Sequence, residues 1–309
     1  MPIAERSLRL PWPIGQLAER QVDAFLYASP KDKALFSEPA GEPGFVPLDG
    51  VNARVYASPL TLYIGGMSAV LLELAEPRVR HGVWDHSVFP VDPVRRLQRT
   101  GLAAMVTFYS ARSVASAMIE GINRRHTLVA GRTPNGEPYQ ADDPSLLLWV
   151  QATAAYGFLE AFARFGPGLT EPEWDNALLE AVPVAKAYGV PNPPERKKDV
   201  DRLLAEWTPR LGPSDIQDQF LAKMRVAAVL PRPFTSLQPL FIRAAVDMLP
   251  EAIREQLGLS GHGLSAAQRR LLRAAVGASL KVHLGNHPRT LAERRIGIFA
   301  NEAIPSSPS

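Results

Sequence analysis

Residues 65–166 read GGMSAVLLELAEPRVRHGVWDHSVFPVDPVRRLQRTGLAAMVTFYSARSVASAMIEGINRRHTLVAGRTPNGEPYQADDPSLLLWVQATAAYGFLEAFARFG, and the periodicity of this stretch decides the fold class. Val70, Leu71, Leu74 and Ala75 recur at intervals of three and four, the spacing of one helix face. Asp92-Pro93 and Asp143-Pro144 each pair an N-cap carboxylate with proline at the first helical position. After the second of these, Leu147, Val150, Ala154, Phe158, Ala161 and Phe165 give a continuous apolar side. Leu128 to Gly131 and Tyr139 to Ala141 flank Pro134-Asn135-Gly136, and Asn-Gly between short runs is a hairpin signal. The prediction is an all-α chain whose only sheet is this small ribbon.

Two groups of polar residues on these helices exceed what an ordinary core requires. Arg96, Arg99 and Thr100 lie three and four apart, so they share one face. That face continues to Ala103 and Thr107, small residues that let a bulky group approach the backbone. His126 closes the series Val114, Met118, Ile122, so its imidazole follows the apolar stripe and is expected to be at least partly buried. The plainer reading keeps His126 as a last-turn histidine beside Arg124 and Arg125, where cations favour the negative helix end. Arg96 and Arg99 are then surface charge.

The order of motifs resembles the MpaB and rubber-oxygenase (latex clearing protein) family. It runs from a glycine-led apolar helix ending near Pro77 through Asp85-His86-Ser87, Asp92-Pro93, Arg96-x-x-x-Thr100 and His126. The hairpin with Tyr139, then Asp143-Pro144 and Trp149, complete it. The likeness covers about residues 65–189, with an echo of the family's LLPxxLR segment at Leu249-Pro250-Glu251-Ala252-Ile253-Arg254. It implies a globin-like helical bundle around b-type haem, flanked by further helices. It also implies His126 as the iron ligand and cofactor-binding residue, with Arg96, Arg99 and Thr100 as catalytic and cofactor-contacting residues on the distal side. Arg99 stands where rubber oxygenases have lysine, and a guanidinium has no lone pair with which to cap iron. Glu73-Leu74-Ala75-Glu76-Pro77 replaces the frequent Gln-x-x-His-Pro, and Gln151 replaces the histidine of Trp-Val-His. Glu76 is the nearest counterpart of the family's catalytic carboxylate. Asp142 or Asp143 is a candidate to orient the ligand histidine through its second N–H, and a capping role is favoured for Asp143.

Composition narrows the chemistry. With 309 residues, 46% hydrophobic and 21% charged, the chain is long enough to bury a sizeable core, and its mean hydropathy of -0.07 is ordinary for a globular protein. The net charge of +3 is spread among acidic residues, so no basic arm points to nucleic acid. The chain has no cysteine, which excludes disulfides, thiolate-bound zinc, iron–sulfur clusters and thiolate-ligated haem. Residues 1–15 show no secretory pattern, and no run of about 18 uncharged apolar residues offers a membrane span. A cytoplasmic protein is expected.

Outward from the central stretch, residues 14–29 are expected to form a first helix, and Ser37 to Gly50 is Pro- and Gly-rich loop. Residues 1–57 are read as an arm, 58–286 as one helical domain and 287–309 as a tail, with 304–309 disordered. Thr170-x-x-Glu173, Ser214-x-x-Gln217 and Ser265-x-x-Gln268 are capping boxes. Pro183 is expected to kink its helix, and residues 191–194 and 231–233 form connectors. His81 and His86 are reserve ligand candidates.

The expected function is a haem b-dependent oxygenase, taking dioxygen and a small apolar, unsaturated, isoprenoid-like substrate, with oxidative cleavage of a carbon–carbon double bond as the sharpest form. The electron donor is not indicated. Alternatives are a haem peroxygenase or peroxidase, a non-catalytic haem sensor or carrier, and a helical interaction protein without cofactor.

Overall fold

In the computed structural model, residues 29–227, 234–282 and 284–298 are described, together with Glu19, Arg20, Asp23 and Tyr27. Proline dictates where several helices begin. Ser58, Glu76, Asp92 and Asp143 each precede a proline, and each side chain accepts a hydrogen bond from a backbone N–H of the first turn. Proline has no N–H to lose there, and the cap satisfies a donor the helix cannot.

The described residues form fourteen α-helices. Short α1 (Ala34–Ser37) and α2 (Val51–Val55) precede α3 (Pro59–Ala75), α4 (Pro77–Trp84), α5 (Pro93–Tyr109) and α6 (Arg112–His126). Strands β1 (Ala130–Arg132) and β2 (Pro138–Gln140) form the antiparallel hairpin expected, with Gly131 opposite Tyr139. Then come α7 (Pro144–Phe165), α8 (Glu171–Ala187), α9 (Lys197–Trp207), α10 (Asp215–Val226), α11 (Gln238–Met248), α12 (Glu251–Gln256), α13 (Ala266–Ser279) and α14 (Pro288–Arg295). Among the described residues the fold is all-α apart from the hairpin. Thr170 and Ser265 make full reciprocal capping boxes, and Ser214 caps α10 from one side only. α8 runs through Pro183 as one helix.

The centre is the crossing of α3 and α7. A Cβ added to Gly65 would meet the Gly157 carbonyl oxygen at 2.5 Å, so backbone packs on backbone. α7 is long and apolar enough to span a membrane, but beyond its first two residues none of it is exposed. Its Trp149 stacks on Trp207 at 4.8 Å.

Two regions differ from the sequence reading. The run after residue 286, read as a tail, holds α14, whose Arg289, Glu293 and Arg295 are buried. Only Glu19, Arg20 and Asp23 of the expected first helix are described as helical. The connector at 231–233 and residues 304–309 lie outside the described residues.

Candidate functional site

Helix α3 is buried along nearly its whole length. Beyond Pro59 at its start, only Leu62, Gly66, Val70 and Glu73 keep partial accessibility. Intervals of four, four and three make them a single stripe, so one side of an otherwise buried helix stays partly accessible, and this stripe is the candidate groove. Beyond the start of this stripe Tyr56 stacks on Phe108 of α5 at 3.8 Å and is tilted on Phe158 of α7 at 5.1 Å. On the outer side, Thr107 Oγ1 lies 3.2 Å from the Tyr188 hydroxyl, and Asn123 Nδ2 donates to the Ala187 carbonyl at 2.9 Å. These bonds pin the α5–α6 pair to the end of α8.

The other end is polar and joins three helices. Arg96 projects from the first turn of α5 and is half-buried. Its guanidinium donates to the Thr100 hydroxyl, which in turn donates to the Arg96 carbonyl at 2.9 Å. Burial lowers the Arg96 pKa, Glu73 raises it and neighbouring Arg99 lowers it again. Glu73 answers from α3. Burial pushes its carboxyl up to about 7, against the opposing pull of Arg96.

His126 ends α6, half-buried as its stripe implied. Burial holds its pKa below the ordinary histidine value; Asp142 works against this, while Arg96 and Arg125 reinforce it. The imidazole is therefore kept neutral, and it makes no hydrogen bond among the described residues. A neutral, unpartnered imidazole is what a metal ligand requires. Among the described residues no three His, Cys, Asp or Glu converge; a metal held at His126 would therefore have one protein nitrogen, and that donor chemistry is compatible with a porphyrin iron.

Other expected residues fall away from this end. Arg99 and Thr100 are exposed at its rim. Glu76, the carboxylate first matched to a catalytic role, is 2% exposed and caps α4, accepting from Val79 N and Arg78 Nε at 2.8 Å. Asp143 caps α7 through Ser145 and Leu146, which leaves Asp142 as the carboxylate that acts on His126. The reserve histidines have protein partners: His81 Nδ1 lies 3.0 Å from Asp85, and His86 Nε2 lies 3.1 Å from the Tyr139 hydroxyl. Arg254 of the LLPxxLR-like segment approaches buried Asp247 at 4.0 Å, where Arg269 also binds, so that segment is a packing motif. Sequence reasoning missed Glu73 as a site residue. The available signal was a carboxylate on the Leu62, Gly66, Val70 series of a helix too apolar to need one.

A family model described as the catalytic domain of the ER-bound oxygenases mpaB/B' and rubber oxygenase matches residues 53–279. The chain belongs to this family. No curated protein and no solved structure gives a match. The family assignment makes the chain an oxygenase-type oxidoreductase, and the matched span contains the whole groove, from Tyr56 to Tyr188. In this family member, α14 and the segment before Ala53 lie outside the match.

Proposed function

We propose that the protein is a haem b-dependent oxygenase that acts on an apolar, unsaturated substrate and splits a carbon–carbon double bond. The observation that carries this reading is that half-buried, unpartnered His126, Arg96 and Glu73, from three helices, lie within electrostatic reach of one another in a member of an oxygenase family. His126 would hold the cofactor through a ring nitrogen, and Asp142 is the nearby carboxylate that could accept its second N–H. When bound, haem supplies the iron at which dioxygen is reduced and the substrate oxidised.

The chain's own residues do the rest. Arg96 presents a fixed positive charge, and Thr100 holds its guanidinium so that no reorganisation is needed as negative charge develops on oxygen. Glu73, titrating near neutral pH, holds or releases a proton at its carboxyl beside Arg96. Leu62, Val70 and Phe158 exclude water and give an apolar chain its surface.

The test is haem content and the Soret band of the purified protein and of His126→Ala, followed by oxygen uptake and product mass spectrometry with terpenoid and polyisoprenoid substrates. Wild type is expected to carry haem, His126→Ala to lose most of it, and products to contain two carbonyls from one double bond. Haem retained unchanged in His126→Ala rejects the ligand assignment. Turnover with peroxide alone rejects the dioxygen reaction in favour of a peroxygenase.

A further inference from the structure

Leu147, Gln151, Ala154 and Phe158 are all partly accessible on α7, and intervals of four, three and four put them on one face. At about 100° per residue, Gln151 lies about 40° from Leu147 and about 20° from Phe158 around the helix axis. Contacts at both ends fix the surroundings of this face. At one end, a Cβ added to Gly189 would lie 3.3 Å from Leu147 Cδ1. Tyr188, the residue before it, places its hydroxyl 3.2 Å from Thr107 Oγ1 of α5. Phe108, the residue after Thr107, stacks on Tyr56 at 3.8 Å. At the other end Tyr56 meets Phe158 at 5.1 Å, and a Cβ added to Gly66 of α3 would lie 3.7 Å from the same Phe158 ring. The contacts therefore close a ring, from α7 through the residues after α8, then α5 and Tyr56, back to α7. Gln151 and Ala154 are its α7 side, between Leu147 and Phe158.

This ring contains no charged side chain, and its Thr107 and Tyr188 hydroxyls are engaged with each other, with Thr107 also donating to the Ala103 carbonyl at 2.9 Å. Gln151 differs. Its amide makes no hydrogen bond among the described residues and is not sealed from solvent, so it has two N–H donors and one carbonyl acceptor to offer. A pure hydrocarbon covering the amide strips its water and returns nothing. A ligand with one neutral oxygen restores the bond, and a carboxylate finds no cation in the ring. We propose that Gln151 binds the substrate, its amide hydrogen-bonded to a hydroxyl or carbonyl oxygen of an otherwise apolar, unsaturated molecule whose carbon chain lies along Ala154 and Phe158. The proposal deepens the function given above and rests on this face being the substrate site.

Geraniol, its aldehyde geranial, geranic acid and the oxygen-free dimethyloctadiene share one branched skeleton, so their binding to the full-length protein by calorimetry reads the amide without turnover. Alcohol and aldehyde are expected to bind about fivefold more tightly than the hydrocarbon, the effect of one neutral hydrogen bond. The acid should bind more weakly than the alcohol. Gln151→Leu, which keeps a good helix former on α7, should abolish the preference by weakening alcohol and aldehyde while the hydrocarbon is unchanged. Ala154→Leu crowds the same face and should weaken all of the ligands alike, with the unfolding midpoints of both variants showing that the fold is kept. The proposal is overturned by a wild type that does not distinguish alcohol from hydrocarbon, by a preference that survives in Gln151→Leu, by an acid that binds most tightly, or by undiminished binding to Ala154→Leu. Haem content and the Soret band are read beside these titrations. If Gln151→Leu alters them and leaves the preference intact, the amide serves the cofactor and the substrate assignment fails. A wild-type protein free of haem removes the oxygenase reading, whereas the alcohol-to-hydrocarbon ratio still reads Gln151.

Discussion

Burial pushes Glu73 and Arg96 toward their uncharged forms and each opposes that shift in the other, so a change at either residue has a predictable sign. The Glu73 carboxyl titrates near 7 in the folded chain against an ordinary 4.5, and between those values the folded state binds more protons than the unfolded one. Stability therefore falls as pH rises through this window and then levels off. Glu73→Gln removes the effect. The variant should match wild type at pH 4 and be the more stable protein at pH 8, by urea denaturation at both; a constant difference at the two pH values would refute the shifted carboxyl. For the reaction, Arg96→Ala should cut oxygen-dependent turnover on the order of a hundredfold and Thr100→Ala about tenfold, compared at equal haem occupancy. Loss of haem in step with activity would instead give Arg96 a cofactor-holding role. His126 and Arg96 were legible in the sequence because helical spacing and motif order single them out. Glu73 was not, because its meaning depends on the electrostatic influence of Arg96 from another helix.

At the scale of elements, adjacent glycines in α3 are expected to behave oppositely. Gly65 faces the Gly157 backbone, and an alanine methyl has no flexible neighbour to displace, so Gly65→Ala should cost about 3 kcal/mol through overpacking. A Cβ at Gly66 has the Phe158 ring at 3.7 Å as its nearest neighbour and points into the groove. Gly66→Ala should keep or raise stability, by up to about 1 kcal/mol of helix propensity, while weakening binding of a bulky ligand. Thermal unfolding and ligand titration of the two variants check this; equal loss of stability in both would contradict the groove. Helix starts were readable from the sequence because Ser58, Glu76, Asp92 and Asp143 sit directly before prolines, a local signal. The α3–α7 crossing was not, since nothing near Gly65 or Gly157 states which glycine each one meets.

At the scale of the whole molecule, α14 ties both ends of the described chain to the groove's supports. Arg295 donates to the carbonyls of Phe36 at 2.7 Å, Tyr109 at 2.8 Å and Glu42 at 3.0 Å. Arg289 binds Glu293 at 2.8 Å and the carbonyls of Ala53 at 3.1 Å and Leu48 at 3.3 Å. The sequence PRTLAERR is too polar to announce burial, because Arg289 and Arg295 are buried by binding backbone carbonyls, which leave no residue-type signal at their own positions. Arg295→Ala strips three carbonyls of their donor, and since bare buried acceptors cost about 1–3 kcal/mol each, a loss of at least 3 kcal/mol is expected. Arg295→Lys should recover only part of it, because one ammonium does not reproduce the geometry of the planar fork. Ending the chain after Asn286 removes both arginines at once and should lower the unfolding midpoint further than either single variant. It should also loosen the Ala53 to Tyr56 region, since Ala53 also accepts from the Tyr109 hydroxyl at 2.8 Å. Hydrogen exchange at residues 51–57 and urea titration of the shortened chain are the measurements. A shortened chain with the midpoint and exchange protection of the full protein would show that α14 adds nothing to the fold.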